Sequence, residues 1–181
     1  KILLCSFIIL SFRSAARSLL PGNEKMRFAA GKAHRISISS SFDHFAGFGT
    51  LQMQVAGLQR RIEATHCKCV VVGVSGGLDS TLALLVTARA FDFLGMPREK
   101  ITAVTMPCFG TTDRTYRNAC DLTKKLGATL REVDIREAVT IHFRDIGHDM
   151  ENHDVTYENC QARERTQVIM DIANQAGGMV I

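Results

Sequence analysis

A chain of 181 residues has room for one domain, and 46% hydrophobic with 22% charged residues is the composition of a soluble globular protein, not of a disordered or fibrous one. The formal charge of +4 is unevenly placed: residues 1–66 hold nine Lys/Arg against three Asp/Glu, and residues 67–181 hold thirteen against fifteen. The second part, at −2, is not a basic surface built for nucleic acid, and no nucleic-acid partner is expected.

The chain opens with Lys1 and the apolar run Ile2–Phe12, followed by Ser14-Ala15-Ala16, the outline of a secretory signal. A bilayer span needs about 20 apolar residues, so no membrane anchor is expected. The chain lacks an initiating Met, and a fragment or a misread start is the favoured reading of this segment. Residues 1–47 show no sustained period; they are unassigned and expected to be poorly ordered.

From about Gly49 the character changes. Leu51, Val55, Leu58 and Ile62 recur at helical spacing, opposite Gln52, Gln59, Arg60 and Glu63, which predicts an amphipathic helix. Cys69–Val74 is a β-branched run without alternation, as in a strand buried on both faces of a parallel sheet. A helix is predicted from about Ser80 to Leu94, stopped by Gly95 and Pro97. The rhythm repeats with a strand over Ile101–Met106, a helix over Thr112–Leu126, a strand over Thr129–Val133 and a helix over Arg136–Ile146. Asp154 or Thr156 then caps a last helix reaching about Gln175, and Met179-Val180-Ile181 opens another strand. Strands alternating with helices predict an α/β, doubly wound parallel sheet. Because the chain stops as its fourth strand begins, a domain truncated at the C-terminus is expected.

The six cysteines, at positions 5, 67, 69, 108, 120 and 160, form no CxxC pair. Cys67 and Cys69 would share one face of a strand and could hold a metal together; buried free thiols are the simpler expectation. A reduced, cytoplasmic protein follows. The histidines show no metal-ligand spacing, and His148-Asp149 and His153-Asp154 are expected at the surface of a loop.

The chemistry concentrates in Gly73-Val74-Ser75-Gly76-Gly77-Leu78-Asp79-Ser80, between a buried strand and a helix. That is where a parallel sheet places its ligands. Gly76 and Gly77 let an anion approach the backbone, and the N–H groups at a helix start converge on it. Ser75 and Ser80 offer hydroxyl donors. Asp79 would repel phosphate unless a cation bridged them, which suggests Mg2+. No Lys follows the glycines, so this is not a Walker A loop, and the spacing does not give G-x-G-x-x-G.

The segment SGGLDS resembles the signature of the ATP-pyrophosphatase superfamily, whose members cleave ATP between its α and β phosphates. Two later segments narrow the resemblance. Met106-Pro107-Cys108-Phe109-Gly110-Thr111-Thr112-Asp113 follows the second strand, and Glu158-Asn159-Cys160-Gln161-Ala162-Arg163-Glu164-Arg165 starts the last helix. With the loop they are similar to the synthetase domain of NAD synthetases, especially the glutamine-dependent type, over about 48–181. The resemblance implies an adenine nucleotide alpha hydrolase-like fold and ATP bound by residues 73–80, with Mg2+ on Asp79. It also implies that Asn159 and Arg163 contact deamido-NAD.

Asn159 and Arg163 share one helix face, and a guanidinium suits a phosphate- and carboxylate-bearing substrate; a solvated surface charge is the lesser alternative for Arg163 and the favoured one for Arg165. Arg165, rotated about 200° from Arg163, could pair with Glu158 in a structural role. Thr111, Thr112 and Arg114 could reach the nucleotide, or Thr112 could cap the next helix.

The implied reaction is ATP-dependent amidation of deamido-NAD through an acyl-adenylate, releasing AMP and pyrophosphate, with no side-chain nucleophile. Nitrogen would come from ammonia, or from glutamine through a glutaminase domain that residues 1–47 do not resemble. The family continues into a Gly-Thr-Gly-Asp loop and a metal-holding glutamate beyond Ile181, so this chain alone is expected to be inactive. A homo-oligomer is expected on the same basis. GMP synthesis, tRNA modification, and a non-catalytic nucleotide-binding fragment are the alternatives the loop alone leaves open.

Overall fold

Three consecutive valines, Val70, Val71 and Val72, set the architecture. Their side chains alternate across the strand: Val70 and Val72 enter one apolar core, and Val71 enters another on the opposite face. A strand apolar on both faces must be covered twice, which requires helices on both sides of the sheet.

The computed structural model describes residues 41–181, with side chains described from Gly49 onward. Among these residues, helix α1 spans Ser41–Thr65, strand β1 Val70–Gly73 and helix α2 Leu78–Leu94. A 3-10 turn at Arg98–Lys100 leads into β2, Ile101–Thr105, and then α3, Asp113–Leu126. Strand β3 is Thr129–Glu132, α4 Arg136–Asp145, α5 Val155–Ala176 and β4 Met179–Val180. By internal contacts the chain divides into Lys1–Gly47 and Phe48–Ile181, and the second unit carries the sheet.

The sheet is four-stranded, in the order β3-β2-β1-β4. All its pairs are parallel, with Val70 opposite Ile101 and Met179, and Thr102 opposite Thr129. The chain steps from β1 outward to β3 and then returns to the other side of β1, so the switch in direction lies between β1 and β4. One core joins Val70, Val72, Leu84, Phe91, Ile101 and Ala119 with Ile62 of α1, which places α1, α2 and α3 on one face. The other joins Val71, Val104, Ile135, Val139, Phe143 and Ile172, which places α4 and α5 opposite. The fold class is the doubly wound α/β sheet that the alternation predicts.

One boundary and one burial differ from the sequence expectation in an instructive way. Helix α1 starts at Ser41, inside the segment read as unassigned, because serine and the glycines at 47 and 49 carry low helix propensity and hide the periodicity. Cys67 and Cys69 are half-buried, not buried; the Cys69 thiol donates to the Ala176 carbonyl at 3.4 Å, and burial pushes it up from its usual thiol range. Among the described residues no group of three or more His, Cys, Asp or Glu could hold a metal ion. No described helix is long and apolar enough to cross a membrane. The apolar run Ile2–Phe12, Cys5, Ser14-Ala15-Ala16 and His34 lie outside the described residues.

The return from α5 to β4 is tight. A Cβ on Gly178 would stand 2.8 Å from the Cys69 carbonyl oxygen, so this position admits glycine alone. Phe91 is fully buried beneath the sheet, and Phe91→Ala is expected to cost about 3–5 kcal/mol in a urea unfolding titration. A loss below about 1 kcal/mol would show that α2 does not anchor this core.

Candidate functional site

Strand β1 ends at Gly73, and Val74 extends its pairing by donating its N–H to the Val104 carbonyl at 2.8 Å, while its side chain is buried. The chain then turns through Ser75, Gly76 and Gly77 and enters α2 at Leu78. Gly76 has φ +79, and a Cβ there would lie 2.0 Å from the Thr115 carbonyl oxygen on α3. Glycine is therefore required twice over, by conformation and by space. The contact ties the loop to the first turn of α3, a link that no sequence spacing announces.

Hydrogen bonds brace the turn from within. Ser80 Oγ donates to the Gly77 carbonyl at 3.0 Å, so its one proton is used and it accepts from Ser75 Oγ, at 3.2 Å, and from the Ser75 N–H, at 3.3 Å. Ser75 Oγ in turn accepts the Gly77 N–H at 3.3 Å. The serines expected as donors to an anion are here struts of the loop. Thr81, which was not singled out in the sequence, adds a further bond from Oγ1 to the Gly77 carbonyl at 2.9 Å. The first helical bond is Thr81 N–H to Gly77 carbonyl at 3.1 Å. Among the described residues the amides of Gly76, Leu78, Asp79 and Ser80 have no protein acceptor. Four donors thus gather where α2 carries the positive end of its dipole.

Asp79 sits in the first turn of α2, exposed, with no ion pair or hydrogen bond to another described residue. Leu78 beside it is 84% exposed. Both side chains stand at the carboxyl end of the sheet.

The loop after β2 approaches the same end. Thr111 N–H donates to the Cys108 carbonyl at 2.9 Å, and Cys108 N–H donates to Thr111 Oγ1 at 3.0 Å. Thr112 is the N-cap of α3, accepting the Thr115 N–H at 3.4 Å, so its hydroxyl has the capping role; Arg114 is exposed. At the end of β3, Tyr116 Oη donates to Glu132 Oε2 at 2.6 Å, which raises the phenol above its usual range. Asp134 accepts two kinds of bond from Arg136, from its guanidinium and from its N–H at 3.0 Å, and these hold its carboxyl down at about 2. The Asp-x-Arg spacing ahead of a helix was the legible signal for that pair.

Helix α5 is capped by Asp154, whose Oδ1 accepts from the Thr156 N–H at 2.7 Å and the Tyr157 N–H at 3.0 Å. Those bonds, the Tyr157 one foremost, hold the carboxyl below its usual range. His148 is not the surface residue that its loop context suggested. Its ring packs 5.1 Å from that of Phe143, and Nε2 lies 3.1 Å from the Asn152 carbonyl and 3.6 Å from Asp154. His153 is exposed and stacks on Tyr157 at 4.3 Å. Asn159 and Arg163 lie on the exposed face of α5, and Arg163 Nη1 makes a long contact of 3.9 Å to Cys160 Sγ. Arg165 is half-buried, and the pair with Glu158 does not form.

A family model described as NAD synthase matches residues 50–181. The chain belongs to the NAD synthase family. Among its relatives, the glutamine-dependent NAD(+) synthetase of Mycobacterium leprae is 49% identical over 133 residues, covering 71% of this chain and 20% of the relative. The NH(3)-dependent NAD(+) synthetase of Thermoplasma acidophilum is 33% identical over 114 residues, covering 63% of this chain and 44% of the relative. The chain thus spans about a fifth of the length of the glutamine-dependent relative. Among solved structures, a glutamine-dependent NAD+ synthetase from Acinetobacter baumannii in complex with adenosine diphosphate superposes with a TM-score of 0.65 at 27% identity. It covers 72% of this chain and 24% of its own. An NH3-dependent NAD synthetase from Campylobacter jejuni, at 21% identity and a TM-score of 0.62, shares the fold over 72% of this chain and 53% of its own.

Two outcomes follow for this NAD synthase site. Gly76→Ala is expected to destabilise the chain by about 1–3 kcal/mol in chemical denaturation, through the positive φ and the Thr115 contact. Asp154→Ala is expected to lower Tm at pH 7. A carboxyl whose folded value lies below its ordinary 3.8 contributes stability above that pH and loses it as pH falls through the folded value. The Tm gap between wild type and Asp154→Ala should therefore close on acidification below pH 3.8, in thermal melts across a pH series. A gap that persists unchanged in strong acid would contradict the capping account.

Proposed function

We propose that this chain supplies the nucleotide-activating part of an NAD synthetase, which converts deamido-NAD to NAD at the expense of ATP. The observation that carries the reading is the group of four amides at the start of α2, next to the Asp79 carboxylate, that have no partner among the described residues. The phosphates of ATP are the anion we assign to residues Gly73–Ser80, with the β and γ phosphates over the helix N-terminus. Family membership sets aside GMP synthesis and tRNA modification, which the loop signature alone left open.

The chemistry assigned to the site begins with a carboxylate too stable for direct amidation. A carboxylate oxygen of deamido-NAD attacks the α phosphorus, an acyl–O–P bond forms, and the bond from that phosphorus to the bridging oxygen breaks. Pyrophosphate leaves with the electron pair, and the amides of Gly76, Leu78, Asp79 and Ser80 hold the charge it carries away. Ammonia then attacks the acyl carbon, AMP departs with the electron pair of the acyl–oxygen bond, and the nitrogen loses one proton to solvent. No side chain of the loop acts as nucleophile.

Asp79 fits Mg2+: an exposed carboxylate with no protein partner, next to a phosphate cradle, is the usual one-carboxylate share of such a site. When bound, Mg2+ neutralises phosphate charge. Asn159 and Arg163 are assigned to deamido-NAD, which their exposed, shared face on α5 leaves accessible.

The nitrogen source is assigned to glutamine, through a glutaminase domain outside this chain, because the Mycobacterium leprae relative at 49% identity carries that name. The division into residues 1–47 and a synthetase domain over 48–181 is supported by the family match to 50–181. A cytoplasmic location suits ATP consumption. A homo-oligomer is supported by exposed apolar side chains on α1 and α2, Met53 at 70% and Phe93 at 65% exposure.

In the active synthetase, Asp79→Asn is expected to cut formation of AMP and pyrophosphate by about 100-fold or more. Separation of nucleotides by ion-exchange chromatography reads the result. Near-normal turnover, or ADP as the product, would contradict the assignment.

A further inference from the structure

Helix α5 can be placed against β1 along its length. At the amino end of the strand, Cys69 bonds the Ala176 carbonyl and abuts Gly178. At the carboxyl end, a Cβ on Gly73 would lie 3.8 Å from two carbons of Ile169. The helix therefore runs antiparallel to the strand, and Arg165, one turn before Ile169, is carried about 6 Å further, past Gly73 to the level of the loop. Helical side chains lean toward the N-terminus, which adds to that reach.

The phase of the helix agrees. Cys160, Gln161, Ile172 and Ala173 are buried, and at about 100° per residue Arg165 falls in the middle of the arc they define. Arg163 falls on the opposite, exposed side. Arg165 thus projects from the face packed against the sheet, where a charge is costly unless it is matched.

No carboxylate among the described residues matches it. Asp134 is taken by Arg136, Asp154 by the amides of α5, and Glu158 makes no ion pair with it. Among the described residues Arg165 has neither ion pair nor hydrogen bond. Its charge is nonetheless felt at the loop after β2, where it draws the Cys108 thiol down against the stronger upward effect of burial. An unmatched guanidinium carried to the level of a loop with four unbonded amides can serve as the second half of an anion site, and its planar fork suits two phosphate oxygens at once.

We propose that Arg165 is a phosphate-binding residue of this site, gripping from the α5 side the same polyphosphate that the amides of Gly76, Leu78, Asp79 and Ser80 hold from the α2 side. The proposal rests on the nucleotide reading of the loop and corrects the structural role that the Glu158 spacing suggested. It also separates the two arginines of α5. Arg165 serves the nucleotide phosphates, whereas Arg163 faces the other way.

The test is calorimetric binding of ATP, pyrophosphate and adenosine to the whole chain, wild type and with Arg165→Met, Gly76→Ala or, as a control on the exposed part of α4, Arg144→Met. Arg165→Met is expected to weaken ATP and pyrophosphate about tenfold or more and to leave adenosine unchanged. Arg144→Met is expected to leave all three unchanged. Because Arg165 has no protein partner, Arg165→Met should keep the wild-type Tm or exceed it in the absence of ligand. Wild-type affinity for ATP in Arg165→Met, with Gly76→Ala weakened, would overturn this proposal and leave the nucleotide reading standing. No binding of ATP or pyrophosphate to the wild type would remove that reading and this proposal together. An Arg165→Met chain that melts far below wild type, or fails to fold, would show a structural role and overturn the proposal as well.

Discussion

Everything the site can do depends on a set of backbone amides that the fold declines to satisfy internally. A helix must leave its first N–H groups without helical acceptors, and most helices cover them with a side-chain cap. Helix α2 has glycine at that position and no side-chain cap. Its neighbouring serines bond to one another and to the turn, not across the helix end. The unbonded amides are thereby held open and rigid. Their rigidity is borrowed from the core, because α2 is pinned through Leu84, Ala88 and Phe91 and the turn is pinned through Val74 and the Gly76–Thr115 contact. A preorganised donor set of this kind costs no reorganisation when charge develops on a departing group.

The sheet supplies the second condition. With β1 central and its neighbours β2 and β4 reached in opposite directions, a crevice opens at the carboxyl ends beside the loop. The starts of α2 and α3 and the middle of α5 border it, so residues distant in the chain share one location. Gly76 touches α3, and Gly73 touches Ile169 of α5. The family match across residues 50–181 fits this arrangement, since it spans every element that borders the crevice.

The strands and helices were legible because both periods are present in the sequence. The unbroken valine run at 70–72 signals a two-faced strand, and Leu51, Val55, Leu58 and Ile62 signal a helix. The loop was legible because glycine pairs between strand and helix have few other uses. What stayed hidden depends on tertiary packing. Nothing near Gly76 in sequence names Thr115 as its neighbour. His148 sits in a polar loop yet is packed on Phe143, which only the folded chain brings to it. Spacing alone paired Arg165 with Glu158, whereas burial along α5 turns Arg165 toward the sheet. Helical spacing says which residues share a face; it does not say which face meets the core.

The claim on which the rest stands is that the amides of Gly76, Leu78, Asp79 and Ser80 receive an anion. Nuclear magnetic resonance of the nitrogen-15-labelled chain, titrated with magnesium pyrophosphate, addresses those four groups one by one. The account predicts that their amide protons move downfield together, with a common saturation curve, while amides in the middle of α2 stay in place. Amides that remain still at saturating ligand, or shifts confined to a different surface, would contradict it.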